Sequence, residues 1–266
     1  MRQTRRGMFS SAKILLGIGL LLAAAGGCSR PEQTLCSKIV LGTHPAVTPE
    51  PRNLDWWQQR HQAILERMKQ KNPEVIFIGD SITHGWERKG KAVWEAHYAQ
   101  YDALNLGYGG DRTEHVLWRL QNGEIDGIRP KLAVLMIGTN NAAREQYSAE
   151  QIAEGIQAIV CLLRQKLPDT KILILAIFPR GSQEQSQDKT QDASYNPLWA
   201  KNDQVNRMIS KLADGRKIFF LDINKAFLNE QGVLTRDVMP DLLHPEEKGY
   251  ALWAEAMEPT LKRLLK

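Results

Sequence analysis

The sequence predicts an α/β fold in which a parallel sheet lies between two layers of helices. Short apolar segments alternate with amphipathic helical segments along most of the chain, which is the order of βαβ units. The apolar segments, such as "KILILAIF" at 171–178, lack polar alternation and therefore indicate strands buried on both faces. Right-handed crossovers between such strands give a doubly wound, three-layer α/β/α sandwich.

Each element follows from its local pattern. A first helix has apolar residues at helical spacing after a cap at Asn53 or Asp55. Later helices are bounded by Ser148 as a cap and by Pro245 in a first turn. The predicted strands are 75–78, 102–107, 131–138, 171–178 and 217–223. The predicted helices are 54–71, 90–100, 112–123, 148–167, 198–213 and 245–265.

The first 27 residues are typical of an export signal, with a basic start, an apolar stretch from Ile14 to Ala25 and small residues before Cys28. The apolar stretch is shorter than the roughly 20 residues of a membrane-spanning helix, although a retained anchor helix is the alternative. Cys28 resembles the lipidated cysteine of a bacterial lipoprotein, and "TRRGMF" resembles a twin-arginine signal. The proline-containing segment 28–53 is predicted to be a tether to a single domain at 54–266.

Charge and cysteine content argue against several kinds of partner. After the first 27 residues, 31 Lys and Arg stand against 30 Asp and Glu, so nothing predicts nucleic-acid binding. No Cys and His spacing predicts a metal site, and no cofactor is expected. Cys161 lies in an apolar helical pattern and is predicted to be a buried small side chain. A Cys36–Cys161 disulfide is therefore the unfavoured alternative.

Side chains suited to acyl transfer follow the carboxyl ends of the predicted strands. Ser81 follows the first strand, Gly110 the second and Asn140 the third, whereas Asp241 and His244 follow the last. In a parallel sheet these ends meet at one edge, where ligands bind. A serine nucleophile needs a base, usually histidine, and a carboxylate that fixes the histidine tautomer. The N–H groups of Ser81 and Gly110 and the Asn140 amide are the predicted oxyanion donors.

Some of these residues also have a purely structural interpretation. Ser81 is a favoured residue type for a helix N-cap, and Asn140 is a common turn residue. The adjacent Asp80 is expected to bond backbone groups around the turn rather than to act on a substrate.

The blocks "GDS", "GYGGD", "GTN" and "DLLH" occur in this order and resemble those of the SGNH, or GDSL-type, esterase and lipase family. The resemblance covers the chain from about Asp55 onward. Within the family, it is greatest to the catalytic subunits of intracellular platelet-activating-factor acetylhydrolase. It implies a flavodoxin-like fold with a five-stranded parallel sheet, and a homodimer is implied by those subunits alone.

The resemblance also implies residue roles that agree with the reading of the strand ends. Ser81 is implied as the nucleophile, His244 as the base and Asp241 as its partner. Ser81, Gly110 and Asn140 are implied as the oxyanion hole. The long polar loop 180–197 has no counterpart in those subunits, so the substrate and the oligomeric state stay open.

The sequence therefore predicts an exported serine ester hydrolase of the cell envelope or periplasm, anchored there if Cys28 is lipidated. It removes acetyl or short acyl groups through an acyl-enzyme, and the acyl size rests on the resemblance. O-acetylated carbohydrate, phospholipid or lysophospholipid, and thioesters are competing substrates. A rival of another class is a non-catalytic lipoprotein that binds a glycan or a protein partner on the same fold.

Overall fold

The computed structural model describes residues 36–37 and 40–266. The predicted export signal and Cys28 lie outside the described residues. Five strands form one sheet. Each lies in a predicted apolar segment, and the first runs one residue beyond its segment, to Gly79. The first four are almost wholly buried, as expected for strands covered on both faces, whereas the last is half-buried. The strands are β1 Val75–Gly79, β2 Leu104–Gly107, β3 Leu132–Met136, β4 Lys171–Leu175 and β5 Ile218–Leu221.

Helices connect the strands, and four of those described start at a residue whose side chain accepts from the first turn. The predicted cap at Asn53 or Asp55 is wrong, because the first helix follows Leu54 without a side-chain cap. Pro245 is not in a first turn either, because the last helix begins at Glu247. Ser148 accepts from the backbone N–H of Gln151, and Asn196 caps a helix whose first residue is Pro197. The long helices are α1 Asp55–Gln70, α3 Lys91–His97, α4 Thr113–Gln121, α6 Ala149–Lys166, α8 Pro197–Ile209 and α9 Glu247–Leu265. The short ones are α2 Ser81–His84, α5 Thr139–Ala142 and α7 Gln183–Gln187.

All neighbouring strands are parallel, in the order β2-β1-β3-β4-β5. This is the flavodoxin-like order, in which ligands bind beyond the carboxyl ends of the central strands. In the register, Gly79 at the end of β1 lies beside Gly107 of β2 and Met136 of β3. The loops that follow these three strands therefore begin side by side.

Helices cover both faces of the sheet and so complete the predicted three-layer sandwich. Alternate strand residues face opposite sides: Ile76 and Ile78 pack with α1, α4, α6 and part of α8. Val75 and Phe77 pack with α9 and with the aromatic residues near α3. The sheet thereby separates two hydrophobic cores, and only its edges and loop ends are open to ligands.

The segment 40–53, expected to be part of a tether, packs against the domain in the structure. Pro45–Val47 forms a 3₁₀ turn, and Ala46 and Val47 are buried in the core cluster of α4 and α6. The Thr113 hydroxyl donates to the carbonyl of Ala46 at 2.8 Å. The packing was not predictable from the sequence, because the turn buries two apolar residues among prolines and two are too few to show a helix or strand periodicity.

Cys36 and Cys161 form a disulfide, which contradicts the prediction of a buried free thiol at Cys161. The residue lies on α6 with a partly exposed side chain, so the N-terminal segment can reach it. An apolar helical pattern marks the buried face of a helix, but it does not show that Cys161 lies at the margin of that face.

Among residues 36–37 and 40–266, no helix is both long and apolar enough to span a membrane. The polar loop 180–197 contains the short helix α7, capped by Ser182, and Ala193 pairs with Leu234 in an isolated bridge.

Candidate active site

The turn after β1 presents Ser81 at the first position of α2. The Asp80 carboxylate caps this helix by accepting the N–H of Ile82 at 3.0 Å. The cap is therefore Asp80, which leaves the Ser81 hydroxyl free of that role and confirms the structural function expected for Asp80. Gly107 of β2 makes the close approach of α2 feasible, because a Cβ there would lie 2.3 Å from the backbone nitrogen of His84.

The loop "DLLH" folds Asp241 back onto His244. Leu242 is buried and has a positive φ of 60°, a conformation that is costly for a side chain with a Cβ. Asp241 Oδ1 accepts the backbone N–H groups of Leu243 at 3.0 Å and His244 at 2.7 Å. The other carboxylate oxygen lies 2.6 Å from His244 Nδ1.

The imidazole of His244 joins Asp241 to Ser81, because its Nε2 lies 2.8 Å from the Ser81 hydroxyl. Burial raises the pKa of Asp241, but hydrogen bonds from His244 outweigh this and lower it to about 2. The carboxylate is thus ionised and can only accept, so Nδ1 carries the proton and donates to it. Nε2 of the neutral ring is then the acceptor for the Ser81 hydroxyl.

Several charges act on His244. The hydrogen bond to Asp241 raises the pKa of His244, as do the charges of Asp241 and Asp80, whereas burial and Arg180 lower it. Burial raises the pKa of Asp80 to about 7, although the Ile82 N–H opposes this. Arg180, which follows β4, donates to the Thr139 carbonyl at 3.1 Å and so ties two strand ends together. Sequence analysis assigned no role to Arg180.

Gly110 and Asn140 are linked to each other through Asp111. The Asn140 amide donates to the backbone carbonyl of Asp111 at 2.9 Å. Gly110 has a positive φ of 75°, which glycine adopts without cost. Arg52 donates to the Gly109 carbonyl at 2.5 Å, so the segment expected to be a tether also holds this loop.

A fully buried ion network lies beneath the same loop. Arg119, with 0% exposure, donates to Asp111 at 2.8 Å and to Glu124. Its guanidinium also lies 3.9 Å from the centre of the Tyr108 ring and 3.5 Å from the Gly79 carbonyl. Arg119 therefore connects the end of β1 with the loop after β2, and sequence inspection did not single it out.

A cavity of about 550 Å³ opens at Ser81 and His244. Its wall also contains Trp56, His84 and Arg88, none of which the sequence marked as functional. Trp56 is 42% exposed, whereas its neighbour Trp57 is buried and donates to Asp111 at 2.8 Å. Gly110 and Asn140 are not part of this wall. Among the described residues, no group of three or more His, Cys, Asp or Glu side chains is placed to hold a metal ion.

Known proteins share this arrangement of sequence and fold. Residues 77–252 match the model of the GDSL-like lipase/acylhydrolase family. The chain is 38% identical over 230 residues to subunit alpha1 of platelet-activating factor acetylhydrolase IB from Homo sapiens, covering 84% of this chain and 91% of that protein. A GDSL-like lipase from Bacteroides thetaiotaomicron has a TM-score of 0.61 at 20% identity, covering 79% of this chain and 98% of that one. An acetylxylan esterase from Geobacillus stearothermophilus has a TM-score of 0.53 at 20% identity, covering 73% and 94%. At this identity the two structures establish a shared fold.

Proposed function

The chain belongs to the GDSL-like lipase/acylhydrolase family and is a carboxylic ester hydrolase. We propose that it removes acetyl or short acyl groups through an acyl-enzyme on Ser81. The observation that carries the proposal is the pair of contacts of His244. The ring lies 2.8 Å from the Ser81 hydroxyl and 2.6 Å from Asp241. A histidine held between a hydroxyl and a carboxylate is the arrangement that activates a serine.

The proposed reaction has two halves. Ser81 Oγ attacks the ester carbonyl carbon while its proton moves to His244 Nε2. The tetrahedral intermediate then expels the alcohol, which takes that proton and leaves an acyl group on Ser81. In the second half, His244 removes a proton from water, the hydroxide attacks the acyl carbon, and Ser81 leaves with the proton. Asp241 keeps Nδ1 protonated and stabilises the imidazolium in both halves.

The oxyanion is assigned to three donors: the backbone N–H groups of Ser81 and Gly110 and the side-chain amide of Asn140. One Asn140 N–H is engaged by the Asp111 carbonyl, which leaves the second available because an amide nitrogen carries two. Donors held by fixed loops need little rearrangement as the charge develops, and removal of one typically lowers kcat by about 10²–10³.

The acyl group and the alcohol are proposed from the relatives. One relative is named an acetylhydrolase and one structural neighbour an acetylxylan esterase, which supports a short acyl group. O-acetylated carbohydrate is the proposed substrate, with phospholipid esters as the competing class.

Export is proposed from the N-terminal signal pattern and from the Cys36–Cys161 disulfide. Disulfides form and persist in oxidising compartments outside the cytosol. Lipidation of Cys28 would hold the enzyme at the cell envelope, and mass spectrometry of the purified protein's N-terminal peptide tests this.

The decisive experiment compares the protein with Ser81→Ala on p-nitrophenyl acetate, butyrate and octanoate. We expect the protein to hydrolyse the acetate fastest and Ser81→Ala to lose turnover on all three substrates. Ser210→Ala is the matched control, because that half-exposed hydroxyl donates to the Arg207 carbonyl, away from the cavity. Equal rates in the protein and in Ser81→Ala would refute the mechanism, and preference for octanoate would refute the short acyl group.

A further inference from the structure

The cavity at Ser81 is larger than an acetyl group requires. Its volume of about 550 Å³ is in the range of pockets that hold a whole small molecule. The reacting carbonyl must lie at Ser81, so the rest of the cavity is available to the alcohol half of the ester. The side chains on its wall therefore report the chemistry of that half.

One part of the wall is a pair of aromatic rings. Trp56 and His84 lie nearly parallel, with 17° between the ring planes and 6.3 Å between the centroids. Both lie beside Gly109, the residue before Gly110, since a Cβ on Gly109 would lie 3.8 Å from Trp56 and 3.9 Å from His84. The Arg52 guanidinium lies 5.8 Å from the Trp56 ring and helps to hold it. The rings thus form a platform directly beside the reacting bond.

The platform is uncharged at neutral pH. Burial and the charges of Arg60 and Arg88 lower the pKa of His84 to about 4, although Glu87 opposes them. Trp56 remains 42% exposed, although an apolar ring of this size is normally covered. The negative face of an aromatic ring attracts the weakly positive C–H groups of a pyranose, so this platform suits a sugar ring.

A second part of the wall is an unpaired cation. Arg88 is exposed, and although its backbone N–H donates to the Gly85 carbonyl, its guanidinium forms no hydrogen bond or ion pair with any residue that the structure describes. The neighbouring Lys89 is different, because it pairs with Glu246 at 2.8 Å. A guanidinium matches the two oxygens of a planar or tetrahedral anion. A neutral sugar gives Arg88 no such partner.

We propose that Trp56, His84 and Arg88 form the subsite for the alcohol half of the substrate, and that this half is a sugar carrying a carboxylate or sulfate near the acetylated hydroxyl. The sugar stacks on Trp56 and His84, and its anionic group pairs with Arg88. This inference rests on the proposed function, because it needs Ser81 to be the group that reacts.

The test measures kcat/KM on three acetylated oligosaccharides: a uronate, a sulfated one and a neutral xylo-oligosaccharide. An acidic substrate is expected to exceed the neutral one by about tenfold or more, and the faster acidic substrate identifies the anion. Arg88→Gln should lower this acidic-to-neutral ratio about tenfold, since a hydrogen bond between charged groups is lost. Trp56→Ala should lower kcat/KM on all three oligosaccharides at least tenfold relative to ethyl acetate, mainly through KM.

Lys91→Gln is the matched control. Lys91 is an exposed lysine of α3 that pairs with Glu95 and is absent from the cavity wall, so its loss removes the same charge and should leave the ratio unchanged. Raising the salt concentration should lower the ratio in the protein but not in Arg88→Gln.

Three results would overturn the inference: a neutral sugar cleaved as fast as the acidic ones, a ratio unaffected by Arg88→Gln, or a short-acyl phospholipid cleaved faster than every sugar. Failure of the proposed function is recognised separately. If ester turnover persists in Ser81→Ala, the mechanism itself is wrong. If turnover needs Ser81 but shows no preference for acidic sugars, only the subsite assignment is wrong.

Discussion

Arg119→Met is expected to destabilise the protein and to lower its kcat for ester hydrolysis. The side chain has 0% exposure and is the cation between Asp111 and Glu124, both of which are also fully buried. Methionine fills much of the volume and keeps an apolar contact with Tyr108, but it supplies no charge and no donor. Two carboxylates then remain inside the protein without that cation.

The magnitude follows from the burial of the pair. Removal of one partner from a buried ion pair costs about 3–5 kcal/mol, because the remaining charge loses its counterion and cannot reach water. Arg52 stays 3.6 Å from Asp111 and offsets part of this cost. Burial raises the pKa of Asp111 to about 6 even though Arg119 lowers it. Without Arg119 this pKa rises further, so Asp111 takes up a proton near neutral pH. Protonation removes the buried charge and therefore keeps the loss of stability within about 3–5 kcal/mol.

A carboxyl whose folded-state pKa lies above its unfolded value of 3.8 favours folding at low pH, and this contribution is lost as pH rises through the folded pKa. Since Arg119→Met raises that pKa, its deficit in the free energy of unfolding should be larger at pH 8 than at pH 5. Urea unfolding followed by circular dichroism at both pH values measures it.

Two controls isolate the buried charge. Arg119→Met with Asp111→Asn should be more stable at pH 8 than Arg119→Met alone, because the second change removes one unpaired carboxylate. Arg67→Met, on the exposed face of α1, should change stability by no more than about 0.5 kcal/mol. The reasoning would be refuted if Arg119→Met lowered the free energy of unfolding by less than about 1 kcal/mol. It would also be refuted if the loss were equal at both pH values and Asp111→Asn restored none of it. In the folded variant kcat should fall more than KM rises, because Asp111 holds Asn140.

Two further predictions concern the histidine and the disulfide. The rate should fall as pH drops through the pKa of His244, which the hydrogen bond to Asp241 raises above 6.5; a midpoint below 6.5 would point to another base. Asp241→Asn should move that midpoint to lower pH and decrease kcat by about 10²–10⁴, and an unshifted midpoint would exclude Asp241 as its cause. Replacing Cys36 and Cys161 by Ser should cost about 2–5 kcal/mol, because the bond closes a loop across a separation of 125 residues. Dithiothreitol should lower the Tm of the protein to that of the double variant and leave the variant unchanged; equal Tm values without reductant would contradict the bond's contribution.

The sheet was predictable because its strands are continuous apolar runs, and their order placed Ser81, His244 and Asp241 beyond strand ends. The disulfide was not predictable, since the position of Cys161 at the margin of a helix face depends on the packing of α6. The burial of Ala46 and Val47 was missed because two apolar residues among prolines have no period. Trp56 and Arg88 were missed because exposed residues in the first turn of a helix and in the turn before α3 follow no repeating pattern.

The residues that the sequence predicted and those that it missed differ in how strongly the fold constrains them. Ser81, Gly110 and Asn140 follow strands of a rigid parallel sheet, and the ion network of Arg119 holds the loops between them in place. Such positions tolerate few residue types, so short sequence blocks can identify them. Trp56 and Arg88 lie on surface segments where many side chains fit without disturbing a core, so their identities carry no constraint from folding. An exposed tryptophan and an unpaired arginine at the mouth of this cavity are therefore better evidence for the substrate than the blocks that identify the family.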